Sequence, residues 1–307
     1  MCAFSMDFGF KDFFGFAYSD DQKKVLELIK KSKTKKGDKV ILMSAPSFIV
    51  DFNYDSFVPT MKGLGFDKVT ELTFGAKIVN ECYHNYIKAN KTTQEKFIAT
   101  VCPASVELIK NKYPYLKRFL LPFDSPMIVM AKVLKKNYPK SKIVFASPCF
   151  AKKIEAKNSK YKGKELIDAV ITFAELKQII AKEKPKKTNT SHKFDSFYND
   201  YTKIYPLSGG LGKTLNKKKI LTEKEMVSCD GFKKISRVFD KYLDKTFFDV
   251  LFCKGGCIGG NGVSSKLPII IKKRKVLSYR NLAKREKMDK KEKNKEYFKG
   301  IDFSREF

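Results

Sequence analysis

The sequence predicts an α/β fold, with two lobes of mostly parallel, twisted sheet flanked by helices. Short apolar runs rich in β-branched residues recur along the chain and are typical of buried strands. Segments with apolar residues at three- and four-residue intervals lie between these runs and are typical of amphipathic helices. Because strand and helix alternate, each helix can return the chain so that the next strand runs parallel to the previous one.

Six apolar runs are predicted strands and five periodic segments are predicted helices. The strands are expected at 39–45, 66–74, 96–102, 142–149, 167–173 and 247–253. The helices are expected at 20–31, 76–89, 104–113, 125–136 and 174–183. The elements divide the chain into a helical N-terminal extension (1–37), a main domain (38–280) and a charged, solvated C-terminal tail (281–307).

The composition indicates a globular protein of the cytoplasm. The chain has 307 residues, of which 43% are hydrophobic, enough to bury a sizeable core. No segment approaches the ~18 to 20 consecutive apolar residues of a membrane span, and the N-terminal residues carry charges where a signal peptide is apolar. We therefore expect a cytoplasmic protein with no membrane partner. Thiols stay reduced in that compartment, so seven cysteines indicate metal binding or chemistry and not disulfides.

The formal net charge of +30 comes almost entirely from lysine. The lysines are spread along the chain, and no recognition helix, zinc-finger spacing or RNA-binding aromatic motif accompanies them. This pattern favours a solvated, lysine-rich surface over a specific nucleic-acid site. Such a surface is suited to attract an acidic partner, such as a ferredoxin, by long-range electrostatic steering.

Three cysteines share one structural position, because Cys102, Cys149 and Cys253 each end a predicted strand. That edge of an open α/β sheet is where ligands bind. Cys253 also opens a glycine-rich loop, CKGGCIGGNG, which carries Cys257 and can wrap a compact inorganic cluster. Four thiolates suit a 4Fe–4S cluster, and their wide spacing favours a cluster over zinc, whose ligands usually come in close pairs. Buried, unliganded cysteines are the remaining alternative.

The segments around these cysteines resemble the three signature motifs of the iron-only ([FeFe]) hydrogenase catalytic domain, in that family's order. They are ATVCPASV (99–106), SPCFAKKIEA (147–156) and FFDVLFCKGGCIGGNG (247–262). Further matches, such as LGFDKVTELTFGA (64–76) and YPLSGGL (205–211), extend the resemblance over roughly residues 38–280. The resemblance implies two lobes with a metal cluster in the cleft between them.

The resemblance also implies the composite cofactor of that family, the H-cluster. In it, a 4Fe–4S cubane is joined to a di-iron unit that carries carbonyl and cyanide. The positions that match the cubane ligands are Cys102, Cys149, Cys253 and Cys257. Cys257 would also bridge to the di-iron unit, so it counts among the catalytic residues.

A further set of residues matches the pocket of the di-iron unit. Lys152 matches a catalytic lysine that pairs with a cyanide ligand, as suits a buried anion. The matching walls of the pocket are Ala45, Pro46, Ser47 and Pro148. The implied reaction is the reversible oxidation of H2 to protons and electrons, as in a ferredoxin hydrogenase. The implied partners are a ferredoxin or another small acidic electron carrier, and the H-cluster maturation proteins.

The chain departs from the family pattern at three positions near the predicted site. Val101 stands where catalytic members have a cysteine that carries protons, and valine cannot transfer a proton. Ser147 and Met127 replace a usual methionine and a frequent glutamine. No ferredoxin-like C-x-x-C-x-x-C run precedes the domain, which suggests a divergent branch. Three functions stay open: slow hydrogenase, hydrogen or redox sensor, and 4Fe–4S protein of the iron–sulfur assembly type without hydrogenase activity.

Several other motifs are interpreted as structural. The run SGGLGKT (208–214) resembles a phosphate loop, but it has Leu207 where that motif needs glycine. His84 and His192 have no acidic neighbours at ligand spacing. We expect Cys82 to pack within a helix and Cys229 to lie in a polar turn, SCDG.

Overall fold

The larger of two parallel sheets contains four strands in the order β2-β1-β4-β7. In a computed structural model that describes residues 18–34, 37–197, 201–215, 219–242, 244–283 and 295–307, every neighbouring pair in this sheet is parallel. The strands are β1 (Val40–Ser44), β2 (Lys68–Glu71), β4 (Lys142–Ser147) and β7 (Ala169–Thr172). Most of their residues are buried, which explains their continuous apolar sequences.

The smaller sheet has three parallel strands in the order β3-β9-β8. They are β3 (Phe97–Ile98), β8 (Met226–Asp230) and β9 (Phe247–Leu251). A separate hydrophobic core surrounds this sheet, so the prediction of two lobes of parallel sheet is confirmed. A short antiparallel ladder joins β5 (Lys160–Tyr161) to β6 (Lys164–Glu165).

The strand predictions were wrong in two respects. The strands expected at 66–74 and 96–102 are shorter, because a helix begins at Thr73 and the second run keeps only two paired residues. Strand β8 was missed because it is only partly buried and has a mixed polar sequence. Cys229 lies in this strand and is buried, so the expectation of a polar turn was wrong.

The helices cover both sheets. In chain order those of the described residues are α1 (Asp20–Ser32), α2 (Tyr54–Leu64), α3 (Thr73–Asn90), α4 (Pro103–Lys112), α5 (Pro126–Asn137), α6 (Ala151–Lys157), α7 (Phe173–Glu183), α8 (Gly210–Leu215), α9 (Phe232–Lys241) and α10 (Ile269–Ala283). The five predicted helices are confirmed as α1, α3, α4, α5 and α7. Helix α2 escaped prediction because Pro59 interrupts its pattern.

The ends of the chain are described in part. Residues 1–17 of the predicted N-terminal extension, with Cys2, and residues 284–294 of the predicted tail lie outside the described residues. In the described ranges, every helix is too short or too polar to cross a bilayer.

A fully buried ion pair links Glu71 of β2 to Lys203 of the 3-10 helix Tyr201–Ile204, and Tyr279 of α10 hydrogen-bonds to both. Lys203 donates to Glu71 and, at 2.8 Å, to the Tyr279 hydroxyl. That hydroxyl in turn donates to Glu71 at 2.7 Å, and the Thr73 hydroxyl donates to the same carboxylate at 2.9 Å. The carboxylate therefore has several donors, as a buried charge requires.

Replacement of Lys203 by methionine is expected to lower the free energy of unfolding by about 3–5 kcal/mol, because it leaves Glu71 buried and uncompensated. Urea unfolding of the two proteins measures the difference. The exposed Lys140 provides the control, since Lys140→Met should change stability by no more than about 0.5 kcal/mol. Equal effects of the two substitutions would contradict the prediction.

Candidate metal centre

The four predicted cysteine ligands lie where the carboxyl ends of the two sheets meet. Cys102 precedes α4 shortly after β3, and Cys253 follows β9, so both lie at the edge of the smaller sheet. Cys149 follows β4 of the larger sheet. Cys257 lies in the single 3-10 turn Gly256–Gly259 of the glycine-rich loop. The cysteines predicted to end strands thus lie just beyond them, Cys102 four residues after β3 and the other two each two residues after β4 and β9. Parallel strands bring these ends to the same edge.

The four thiols are close enough for each to affect the pKa of others. Burial raises the pKa of Cys253 to about 12, and the charges of Cys149 and Cys102 add to the shift. Burial also raises the pKa of Cys257 well above its usual value, with contributions from Cys102, Cys149 and Cys253. Burial and then Cys102 raise the pKa of Cys149. Every pair among the four thus interacts, and all four are free thiols.

The glycine-rich loop packs backbone to backbone against the turn that carries Cys149. The Gly262 amide donates to the Pro148 carbonyl at 2.9 Å. A Cβ atom at Gly260 would lie 2.3 Å from the same carbonyl oxygen, and one at Gly262 would lie 2.9 Å from the Pro148 carbonyl carbon. Glycine is therefore needed at both positions for the two cysteine-bearing segments to approach.

Replacement of Gly260 by alanine is expected to make iron release to a chelator about 10- to 100-fold faster, since overpacking of about 1–3 kcal/mol would separate these segments. The effect is steric, because the backbone of Gly260 has φ −65° and ψ 152°, which alanine also adopts. Gly212→Ala is the matched control, since a Cβ there meets only atoms at 3.8 Å or more. Equal release rates from both variants would refute the explanation.

A cavity adjoins the cysteines and is enclosed by the residues predicted to wall it. Its volume is about 80 Å³. One water molecule needs at least about 10–15 Å³ by the same measure, so the cavity can hold a group larger than a single water. Cys102, Cys149 and Cys257 line it together with Lys152 and Val101. The remaining predicted wall residues also line it, namely Ala45, Pro46, Ser47 and Pro148. Cys253 is not among the lining residues, so it belongs to the group of thiols but not to the cavity wall.

Lys152 is a buried lysine with defined partners and not one more surface lysine. Its ammonium donates to Glu155 at 2.6 Å, to the Ser125 hydroxyl at 3.0 Å and to the Val101 carbonyl at 3.3 Å. Only 12% of the Lys152 side chain and 1% of the Glu155 side chain are exposed. The cavity wall therefore carries a positive charge whose position is set by three hydrogen bonds.

Two wall residues have features that sequence reasoning missed. Tyr205 lines the cavity, and its hydroxyl donates toward the Asn80 side chain at 2.7 Å and the Ala76 carbonyl at 3.0 Å. Its only signal in the sequence was the family-like run YPLSGGL. Ser47 lines the cavity too, and within the described residues its hydroxyl is buried without a hydrogen-bond partner. A buried hydroxyl of this kind is available to a bound group.

The donor set fits a metal cluster. Among the residues that the structure describes, no three His, Cys, Asp or Glu side chains form a site for a single metal ion. Sulfur ligands of tetrahedral zinc lie within about 4 Å of one another, since Zn–S bonds are about 2.3 Å. A 4Fe–4S cluster instead takes one thiolate at each of four separate corners. Four mutually interacting thiols that do not converge on one point fit the second arrangement better.

The other motifs have the structural roles expected of them. The run SGGLGKT leads into α8 from the 3-10 helix Tyr201–Ile204 and not from a strand, which is not the context of a phosphate loop. His192 packs edge-on against Tyr54 at 5.2 Å between ring centroids. Cys82 is half-buried in α3, where burial raises its pKa to about 11.

Asp249 on β9 is a buried carboxylate that sequence reasoning missed. Its Oδ2 accepts from the Gly212 amide at 3.2 Å, while Oδ1 has no partner among the described residues. Burial raises its pKa from 3.8 to about 6, and the Gly212 hydrogen bond only partly opposes the shift. The folded protein thus holds a proton on Asp249 between about pH 4 and 6, where the unfolded chain has released it.

Stability should therefore fall as pH rises through this window, by about 2–3 kcal/mol from this residue alone. Asp249→Asn removes the charge, so the variant and the parent protein should have similar stability at about pH 4 and below. Above pH 7 the variant should be the more stable of the two. Urea unfolding at both pH values tests this, and a difference between the proteins that does not vary with pH would disprove it.

Comparison with known proteins identifies similar sequences. A family model that describes the C-terminal domain of the iron only hydrogenase large subunit matches residues 38–261. The chain is 26% identical over 285 residues to iron hydrogenase 1 of Clostridium pasteurianum, covering 73% of this chain and 50% of that protein. It is 28% identical over 136 residues to the cytosolic Fe-S cluster assembly factor NAR1 of Yarrowia lipolytica, covering 39% and 27%. The chain thus spans half or less of the length of these relatives.

Solved structures show the same fold. A variant of [FeFe]-hydrogenase HydA1 from Chlamydomonas reinhardtii matches with a TM-score of 0.64 and 15% identity, over 89% of this chain and 92% of that chain. The [FeFe]-hydrogenase HydA(deltaEFG) matches with a TM-score of 0.65 and 15% identity, over 90% and 92%. Both have the mixed α/β fold with parallel sheets that the sequence predicted.

Proposed function

This chain belongs to the iron-only hydrogenase family, defined by the C-terminal domain of the large subunit, and we propose that its four clustered cysteines ligate one 4Fe–4S cluster. The observation that carries this proposal is the meeting of four free thiols at the facing sheet edges, where every pair interacts. The ligands would be Cys102, Cys149, Cys253 and Cys257. Glycines of the loop allow the two halves of this ligand set to approach closely.

We further propose that the adjoining cavity accepts a di-iron unit and that the protein is a slow hydrogenase. Cys257 would link the two parts, since it lies among the thiols and also lines the cavity. When bound, the di-iron unit would supply the reversible exchange of two protons and two electrons with H2. Lys152 would pair with an anionic ligand of that unit as the nearby positive charge, and the free Ser47 hydroxyl would offer a hydrogen-bond donor.

The walls of the cavity would orient the unit and exclude water. Ala45, Pro46 and Pro148 are apolar and line it from the larger sheet. Val101 lines it from the side of the smaller sheet, with a side chain that cannot accept or release a proton. Slow turnover is therefore part of the proposal.

Electrons would come from a ferredoxin or another small acidic carrier, and the di-iron unit from H-cluster maturation proteins. The net charge of +30 supports an acidic electron carrier through long-range attraction. A cytoplasmic location is proposed with these partners, and the name of the Yarrowia relative describes that protein as cytosolic.

The second candidate is a 4Fe–4S protein of iron–sulfur assembly that never receives the di-iron unit. Similarity to NAR1 over 136 residues favours it, as does Val101. A hydrogen or redox sensor with the full cluster and little turnover is the third candidate, and it also rests on Val101.

Infrared spectroscopy separates these candidates. The protein is expressed anaerobically with the maturation proteins, and its spectrum is recorded in the carbonyl and cyanide stretching region. Bands of both ligands are expected for the hydrogenase and for the sensor, and hydrogen turnover then distinguishes the two. Iron–sulfur absorption without these bands, in protein from a strain that matures a control hydrogenase, would overturn the hydrogenase proposal in favour of the assembly type.

A further inference from the structure

The end of the chain is docked beside the cavity, although the sequence predicted a solvated tail. Ser304 forms an antiparallel bridge with Phe123. The Asp124 amide donates to the Phe303 carbonyl at 2.9 Å, and the Arg305 amide donates to the Pro122 carbonyl at 3.1 Å. We refer to residues 302–305 as the C-terminal strap.

The side chain of Arg305 continues from the strap to the partner of Lys152. Its guanidinium donates to Glu155 Oε1 at 3.0 Å, while Lys152 donates to Oε2 of the same carboxylate at 2.6 Å. Glu155 is thus held between two cations, one at each oxygen. The Glu155 side chain is 1% exposed and the Arg305 side chain 31% exposed, so Arg305 lies between the buried carboxylate and solvent.

The second side-chain partner of Lys152 lies next in sequence to the segment that pairs with the strap. Ser125 follows directly on residues 122–124, which pair with the strap. Lys132 reinforces this pairing, since its ammonium contacts Asp124 at 2.6 Å and the Asp302 carbonyl at 2.8 Å. The strap therefore bonds directly to one side-chain partner of Lys152, Glu155, and pairs with the segment that leads into the other, Ser125.

We propose that Arg305 is a positioning residue for Lys152 and that the C-terminal strap completes the site. Arg305 fixes the orientation of the Glu155 carboxylate, and this carboxylate directs the Lys152 ammonium to the cavity wall. The role of the Lys152 ammonium toward a bound group rests on the proposed function. The position of the ammonium is given by its hydrogen bonds and does not depend on that function. The test therefore reads the ammonium itself and is independent of any metal cluster.

The experiment is acylation of lysine amines in the purified full-length protein, followed by mass spectrometry of each site. Loss of one hydrogen bond to a charged group is expected to make Lys152 label about tenfold faster in Arg305→Ala. Arg305→Lys keeps the positive charge and should restore slow labelling in part. Arg118→Ala removes an exposed arginine elsewhere and should leave the Lys152 rate unchanged.

The fully buried Lys203 serves as an internal reference for unfolding. Faster labelling at Lys152 with no change at Lys203 supports the proposal. An unchanged Lys152 rate in Arg305→Ala would overturn it, and so would an equal rise at both lysines, which indicates general loosening. Equal labelling rates of Lys152 in Arg305→Lys and Arg305→Ala would show that the positive charge at residue 305 does not orient Glu155.

Discussion

Replacement of Cys257 by alanine is expected to abolish binding of the proposed iron–sulfur cluster. Cys257 is a half-buried thiol that interacts with the other three proposed ligands and also lines the adjoining cavity. A 4Fe–4S cluster uses four thiolates, and in the described residues no sulfur beyond the proposed ligands lines the cavity. In protein expressed without the maturation proteins, iron content should fall from about four atoms per chain to well under one, with loss of visible absorption.

Cys82→Ala is the matched control, since Cys82 is also a half-buried free thiol but lies in α3 outside the ligand set. It should keep its full iron content and absorption. Full iron in the Cys257 variant would show that this residue is not a ligand. Stoichiometric zinc with no iron in the parent protein, purified without oxygen, would instead favour the zinc alternative.

The ligand set was predictable because it depends on chain direction. Parallel strands bring their carboxyl ends to one edge, so cysteines at the ends of separate strands are expected to meet. Cys102, Cys149 and Cys253 follow this rule, and the family motifs added Cys257 to them. The same logic explains the fold, since strongly apolar strands such as β1 and β4 are evident in the sequence.

The environment of Lys152 was not predictable in this way. Its partners Val101, Ser125 and Glu155 come from three segments of the chain, and Arg305 from a fourth. No periodic pattern links such positions, because each contact is made by packing between elements. The charged sequence of the chain end favoured a solvated tail, yet pairing with backbone groups at 122–124 docks its last residues.

Strand β8 and helix α2 illustrate two other limits. In β8 the sequence MVSCD alternates apolar and polar residues over only four positions and the strand is only partly buried, so its pairing with β9 is what identifies it. In α2, Pro59 opposes the helical pattern locally, but burial of Phe57, Val58 and Met61 compensates in the folded protein. Tertiary contacts therefore determine that β8 and α2 form, although their local sequences do not favour a strand or a helix there.

Replacement of Val101 by cysteine is expected to raise hydrogen turnover by about 100-fold or more, if the protein carries the complete H-cluster. Val101 lines the cavity, and its carbonyl accepts from Lys152, so a thiol at this position would face the same space as the proposed di-iron unit. A thiol has an ordinary pKa of about 8.5 and can carry protons, and general acid–base steps commonly contribute about 100- to 10,000-fold.

The measurement is hydrogen evolution with an artificial electron donor, on protein whose infrared bands show that the di-iron unit is installed. Val101→Ala is the matched control, because it enlarges the cavity without adding a titratable proton. The cysteine variant alone should gain activity, and its gain should decline at pH values where the thiol is fully ionised. Equal activity in both variants, with full infrared bands, would mean that proton delivery through residue 101 does not limit turnover. Such a result would remove the support that Val101 gives both to slow turnover and to the sensor, and would leave the hydrogenase and the sensor to be separated by their hydrogen turnover alone.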